Sequence, residues 1–234
     1  MRKLSGGKPA GIKLCIGQPH EFLALCKAML ETGIYLDFVV IDGAEGGTGA
    51  APVELSNSVG MPLREGLIMA RNALVGCGLK DKVRLGASGK VHSGAGLAMN
   101  MALGADWCNA ARGFMFALGC VQSMKCHTDR CPTGVATQDP ARQRGLVIED
   151  KATRVANFQR HTLHALREMV VAMGLDSPWE IKPHDLMQRL NSARADPVDR
   201  IYSFLEPGIL LTDPGSTSLG RFWDMARTDS FRRV

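Results

Sequence analysis

A chain of 234 residues, 45% hydrophobic and 22% charged, can bury one sizeable core, as one domain or one domain with part of another. Its net charge of +5 is modest and spread out, only Arg221, Arg227, Arg232 and Arg233 form a basic cluster, and aromatics are 6%, so nucleic acid is not an expected partner. No apolar run reaches the ~18 residues of a bilayer span, and seven cysteines without a secretory leader point to a reducing compartment, the cytoplasm.

Residues 9–15 form a short apolar run interrupted by Lys13, consistent with a buried strand. Pro19 then suits the first turn of a helix, whose apolar stripe is Phe22, Leu25, Cys26, Met29 and Leu30 and whose end is Gly33. A second strand covers 37–42 and runs into the glycine-rich segment 43–49. Leu63, Leu67, Ala70 and Leu74 mark a second helix, and 82–85 a third strand running into Gly86-Ala-Ser-Gly-Lys90. A third helix is expected at about 94–104 and a fourth strand at 105–110, followed by Ala111, Arg112 and Gly113 at another helical start.

Strands and helices thus alternate, and the strands are apolar on both faces, which implies an α/β fold with a parallel sheet covered by helices. The unusual residues fall at the C-terminal ends of the strands, the end at which β/α barrels build their active sites. Beyond them, a long amphipathic helix is expected over 150–174, carrying Val155, Phe158, Leu163, Leu166 and Val170. Ser177-Pro-Trp-Glu180 reads as a capping box opening a short helical stretch into 183–190. Residues 193–234 lack periodicity and read as a tail packing over the rest.

Four glycines and a threonine in 43–49 exceed what a plain turn needs and favour a loop that lets backbone approach a ligand. Ser88, Gly89 and Lys90 offer amides, a hydroxyl and a cation to a phosphate, as do Ala111, Arg112 and Gly113 one unit later. Lys13, inside an apolar run, either sits at an exposed strand end or meets an anion. No G-x-G-x-x-G opens a helix, so a Rossmann site is not expected. Of the histidines, only His127 lies among candidate ligands.

Cys120, Cys126 and Cys131 stand within twelve residues at a spacing that is neither helical nor extended, and Pro132 and Gly134 turn the chain away behind them. A local trio of soft ligands on an irregular loop suits an iron–sulfur cluster, and three ligands without a fourth suit a 3Fe–4S cluster. Half of a zinc site, with His127, and plain structural thiols are the alternatives; no C-x-x-C pair supports zinc.

Together, Ile41-Asp-Gly-Ala-Glu-Gly-Gly-Thr-Gly-Ala-Ala-Pro52, Gly86-Ala-Ser-Gly-Lys90 and Cys120-x5-Cys126-His-x3-Cys131-Pro-Thr-Gly resemble the FMN-binding synthase domain of glutamate synthase, and the stand-alone FMN-binding relatives of that family in particular. The resemblance covers at least residues 8–190. It implies a parallel FMN-binding β/α barrel of which this chain supplies the last four units, with C-terminal helices. On that pattern residues 1–138 are the half-barrel with its cysteine loop, 139–192 the helices, and 193–234 a tail packing on the barrel.

The resemblance also implies the cofactors FMN and a 3Fe–4S cluster held by Cys120, Cys126 and Cys131. The reaction it implies is reduction of 2-iminoglutarate, formed from 2-oxoglutarate and ammonia, to L-glutamate, with an electron donor protein or subunit as partner. Lys13 would face the flavin or the substrate and Glu45 would act on the substrate side, with Gly46, Gly47, Thr48 and Gly49 lining it. Ser88, Gly89, Lys90, Ala111, Arg112 and Gly113 would hold the FMN phosphate.

Two departures qualify these expectations. The chain begins Met1-Arg2 without a glutamine amidotransferase domain, so glutaminase activity is not expected. Ala44 and Glu45 stand where many full-length members carry His and Asp, which leaves another amino or keto acid as an alternative substrate. Four strands would leave two open sheet edges, so a separate N-terminal half-barrel, self-association, or a non-catalytic fragment from a truncated reading frame are the alternatives for how the chain works.

Overall fold

The computed structural model of the chain describes residues 1–47 and 52–232. Four strands, β1 (Gly11–Leu14), β2 (Phe38–Asp42), β3 (Arg84–Ser88) and β4 (Trp107–Asn109), form one parallel sheet in chain order. Helices α1 (Pro19–Thr32), α2 (Leu63–Gly76) and α3 (Gly94–Ala102) connect them. Parallel neighbours need such crossovers, and the expected alternation of strand and helix is the one observed.

Side chains alternate across a strand, so the register assigns each face. Val39, Ile41, Leu85 and Ala87 turn toward the helices and are buried with Leu23, Leu67 and Leu74 in the main core. Each fully buried leucine contributes about 1.5–3 kcal/mol of transfer free energy. Lys13, Val40, Asp42, Gly86, Ser88, Trp107 and Asn109 lie on the opposite face, in register with one another. The strands are therefore not alike on their two faces: one is a helix-covered core, the other ends in polar groups.

Helix α1 begins as its sequence prescribes. Pro19 occupies the first turn, the Gln18 amide donates to Glu21 at 3.0 Å, and Gly33, at φ 66°, ends the helix by donating to the Met29 carbonyl. Helix α3 is capped by Ser93, whose hydroxyl oxygen accepts from the Gly96 amide.

The third strand differs from expectation. It runs through Gly86 to Ser88 rather than ending at Leu85. Gly86 lies beneath the Trp107 indole, where an added Cβ would stand 2.6 Å from ring atoms. The glycine thus serves close packing inside a strand, a need that local sequence does not distinguish from a turn.

After β4 come α4 (Arg112–Ala117), the cysteine loop, α5 (Pro140–Gln143) and the long α6 (Ile148–Ala172). Leu166 and Val170 of α6 are buried and Phe158 meets Phe114 edge-on, but Leu163 remains 49% exposed at the rim of a small cleft. The helical stretch expected into 190 is not formed. Pro178 and Pro183 each open a 3-10 turn, and the chain then extends into β5 (Met187–Arg189), which pairs antiparallel with β6 (Ala195–Pro197). Proline starts a turn readily but lacks the N–H that a helix running through it would need.

The tail is more ordered than its composition suggests. It forms α7 (Val198–Ile201), α8 (Ile209–Thr212) and α9 (Gly220–Met225), and buries Val198, Leu210, Leu219 and Ala226. Buried Asn72 of α2 donates to the Ser203 carbonyl at 2.8 Å and accepts from the Leu205 amide at 3.1 Å. Lys27 of α1 donates to the carbonyls of Trp223 and Ala226 and lies over the Trp223 ring. Among the described residues no helix is long and apolar enough to cross a membrane.

Candidate functional site

The C-terminal ends of all four parallel strands meet at one cleft of about 120 Å³. Lys13 comes from β1, Asp42 from the end of β2, Ser88 from the end of β3 and Asn109 from the end of β4. The following loops add Gly46 and Gly47, then Gly89 and Lys90, then Ala111 and Arg112. Ligand pockets commonly span ~300–1,000 Å³, so this cleft has room for a phosphate or carboxylate group and not for a whole cofactor.

Its charge favours an anion. Lys13, Lys90 and Arg112 face one carboxylate, Asp42, whose Oδ2 lies 2.7 Å from Lys13 Nζ. The isolated strand lysine therefore has an internal partner as well as solvent, its side chain being 55% exposed. No ion pair is made by Lys90 or Arg112 among the described residues. Gly89, at φ 143°, and Lys90, at φ 45°, turn the backbone sharply at the cleft wall. A positive φ at a lysine is costly and persists only where the surrounding structure over-determines it.

Not every expected residue lines the cleft. Gly113 is buried in α4, where a Cβ would stand 2.5 Å from the Phe158 ring, so its lack of a side chain admits Phe158. Glu45 sits behind the cleft. Its Oε1 accepts from the Leu63 amide at the start of α2, at 2.8 Å, and its Oε2 is buried without a partner. Thr48 and Gly49 lie outside the described residues.

The cysteine loop follows directly. Arg112 lines the anion cleft and also a second pocket with Cys120 and Cys126, so the two share a wall. Gln122, Met124 and Asp129 adopt φ of 54°, 55° and 60°, three non-glycine residues in the left-handed region within one short loop. Such positions cost of order 1–3 kcal/mol each and cluster at functional sites. Asp129 closes the loop by accepting from the Gln138 amide at 2.6 Å and the Thr137 hydroxyl at 3.0 Å.

All seven cysteines are free thiols. Cys120 Sγ accepts from the Gln122 amide at 3.5 Å. Cys131 is buried, and its thiol is brought down to about 7 by the Thr133 hydroxyl first, with the amides of Ala136, Thr133 and Val135 also favouring the thiolate. Burial pushes the Cys108 thiol the other way, to about 11. By chemistry the trio suits a thiophilic centre. By position it is not gathered: among the described residues no three His, Cys, Asp or Glu side chains are close enough to hold a metal ion. His127 is exposed, in a shallow pocket with Cys126.

Sequence reasoning missed Asp42 and Asn109. Both stand in register with Ser88, one on each neighbouring strand, so the three make a polar row across the sheet. The available signal was positional: each is the last residue of its strand.

The chain matches, over residues 1–176, a family model described as a conserved region in glutamate synthase. It is 39% identical over 196 residues to the glutamate synthase large subunit-like protein YerD of Bacillus subtilis, covering 84% of this chain and 37% of that one. It is 34% identical over 170 residues to an archaeal glutamate synthase (NADPH) of Archaeoglobus fulgidus, covering 73% of this chain and 32% of that one. The chain thus spans about a third of the length of these relatives. Among solved structures, a flavocytochrome b2 mutant with pyruvate bound covers 87% of this chain and 43% of that chain at 16% identity with a TM-score of 0.49, too weak a likeness to assign anything here.

Proposed function

Because this chain belongs to the glutamate synthase family, we propose that it forms the cofactor-binding end of an FMN- and iron–sulfur-dependent oxidoreductase producing L-glutamate. The observation that carries this is the convergence of Lys13, Gly46, Gly47, Ser88, Gly89, Lys90, Ala111 and Arg112, from four strand ends, on one cleft with more cations than carboxylates. In this reading residues 1–138 are the last four units of a β/α barrel with the cysteine loop, 139–192 its flanking helices and 193–234 a tail docked on its outside.

When bound, FMN would supply hydride-transfer chemistry toward 2-iminoglutarate, formed from 2-oxoglutarate and ammonia, and a 3Fe–4S cluster would supply one-electron chemistry toward a donor protein or subunit. The residues of this chain do the rest. Ser88, Lys90 and Arg112, with the backbone at Gly89 and Ala111, hold a phosphate, while Gly113 packs against Phe158. Lys13 presents its ammonium to the ring or the substrate. Gly46 and Gly47 line the substrate side. Glu45, with one oxygen bonded to the Leu63 amide, is assigned to anchoring that loop on α2. Cys120, Cys126 and Cys131 are assigned to the cluster, which requires the loop to draw the three thiols together on binding. Free thiols throughout accord with a reducing, cytoplasmic setting.

A second reading rests on the sheet edges. The outer sides of β1 and β4 have no strand partner among the described residues, and the cleft is small. The chain would then act as one half of a two-part site, completed by an N-terminal half-barrel or a second copy. Titrating FMN into the full chain, alone and at rising chain concentration, separates the two. Fluorescence quenching independent of chain concentration supports a self-sufficient site, and quenching only at concentrations where the chain associates supports the second reading. Glutamate formed from 2-oxoglutarate and ammonium with a reduced dye tests the substrate. Turnover of a different keto acid, with none of 2-oxoglutarate, would overturn that assignment.

A further inference from the structure

We infer that Asp42 is a positioning residue, whose carboxylate holds the Lys13 ammonium at the mouth of the anion cleft. Lys13 pairs in register with Val40, and Asp42 lies two residues further along β2 on the same face. With strands about 4.8 Å apart and a rise of about 3.3 Å per residue, such a diagonal neighbour is about 8 Å away at Cα, within reach of a long side chain. Lys13 spans it: Nζ lies 2.7 Å from Asp42 Oδ2. With its side chain 55% exposed, the lysine would without a partner also sample the solvent side. The carboxylate selects the one direction that leads toward the strand ends.

Stability does not account for this pair. The two side chains are 55% and 36% exposed, and exposed ion pairs of that kind contribute little or nothing measurable. Nor does the carboxylate help to gather anions, since it offsets part of the positive charge of Lys90 and Arg112 in the same cleft. A group that adds little stability and opposes the electrostatic attraction of its own site has orientation as its remaining role. Ser88 and Asn109, in one row with Asp42, keep the cleft wall polar on its other side.

The opposing effects make the inference testable. It rests on the proposed assignment of Lys13 to the flavin or substrate side, so two readouts are needed. In the first, the full chain is reductively methylated with 13C-formaldehyde, and the Lys13 signal is identified by its loss in Lys13→Arg. That signal is expected to be shifted and broadened relative to the other lysines, to collapse onto them in Asp42→Asn, and to return in Asp42→Glu. An unchanged Lys13 signal in Asp42→Asn would overturn the inference whatever the cofactor.

In the second, FMN, riboflavin and inorganic phosphate are titrated into wild type, Asp42→Asn, Lys13→Met and the double variant. Positioning predicts that Asp42→Asn weakens FMN and riboflavin by roughly three- to tenfold, that phosphate is unchanged or tighter, and that the double variant is no weaker than Lys13→Met, as expected of coupled neighbours. Additive losses would overturn it. A wild-type chain that binds no flavin would count against the proposed function and leave the methyl-lysine signal to decide on Asp42.

Discussion

The Trp107 indole meets the Phe38 ring edge-on across the sheet face opposite the helices, with centroids 5.8 Å apart and planes at 73°. Gly86, on the strand between them, has no side chain, and its hypothetical Cβ would stand 2.6 Å from the indole. Gly86→Ala is therefore expected to push the indole off Phe38 and destabilise the chain by about 1–3 kcal/mol, as overpacking does. Trp107→Ala removes the obstruction, so the double variant should lose less than the sum of the singles. Urea denaturation of the four proteins measures both; strict additivity would mean that the indole does not need the glycine.

Asn72 should be a sensitive polar residue of the fold, because it is buried and bonded twice to the tail. Asn72→Ala leaves the Ser203 carbonyl and the Leu205 amide without their partner and is expected to cost about 1–3 kcal/mol. The loss should show as faster proteolysis beyond residue 200 before global unfolding, since this contact docks the tail on α2. Wild-type proteolysis kinetics in the variant would contradict that.

Much of this arrangement was legible in the sequence. The order of strands and helices, the Gly33 stop and the gathering of glycines, Ser88, Lys90 and Arg112 at one end all follow from periodicity and the parallel-sheet rule. What was not legible depends on contacts far apart in the chain. Asn72 and Lys27 carry no signal in the sequence because their partners lie 131 and 196 residues away. Gly86 read as the start of a phosphate-binding segment after the strand because the indole it accommodates belongs to another strand. Asp42 read as a strand end because only the register reveals Lys13 beside it. The left-handed backbone at Gln122 and Met124 has no local signature, because neither residue type requires it.

Acid sensitivity should be set in part by Asp37. The Ala10 amide, at 2.6 Å, and then the Arg2 guanidinium hold its carboxyl below the usual carboxylate range. A folded-state pKa below the unfolded value stabilises the fold above the unfolded pKa of about 3.9, and that contribution is lost as pH falls through the folded value. Asp37→Asn should accordingly flatten the stability profile below about pH 4 and lower stability at neutral pH. An unchanged acid limb in chemical denaturation would contradict the assignment.

Arg112 borders both the anion cleft and the pocket of Cys120 and Cys126. Arg112→Gln is expected to weaken FMN binding by about 1.5–3 kcal/mol, the range for a hydrogen bond to a charged group, and riboflavin binding much less, because the lost partner is the phosphate. Equal losses for the two ligands in fluorescence titrations would move Arg112 away from the phosphate.

Cys126→Ser should abolish cluster assembly while leaving the far-ultraviolet circular dichroism unchanged, since Cys126 lies on an irregular loop outside the main core. Iron and sulfide retained at the wild-type ratio would remove Cys126 from the ligand set.

The most direct measurement is anaerobic purification of the full chain, with reconstitution by FMN, ferrous iron and sulfide, followed by an absorbance spectrum and quantification of flavin and iron. The account predicts one FMN and about three irons per chain, the complement of a flavin and a 3Fe–4S cluster. A colourless chain that takes up neither after reconstitution would contradict the assignment of the cleft and the cysteine loop to these cofactors.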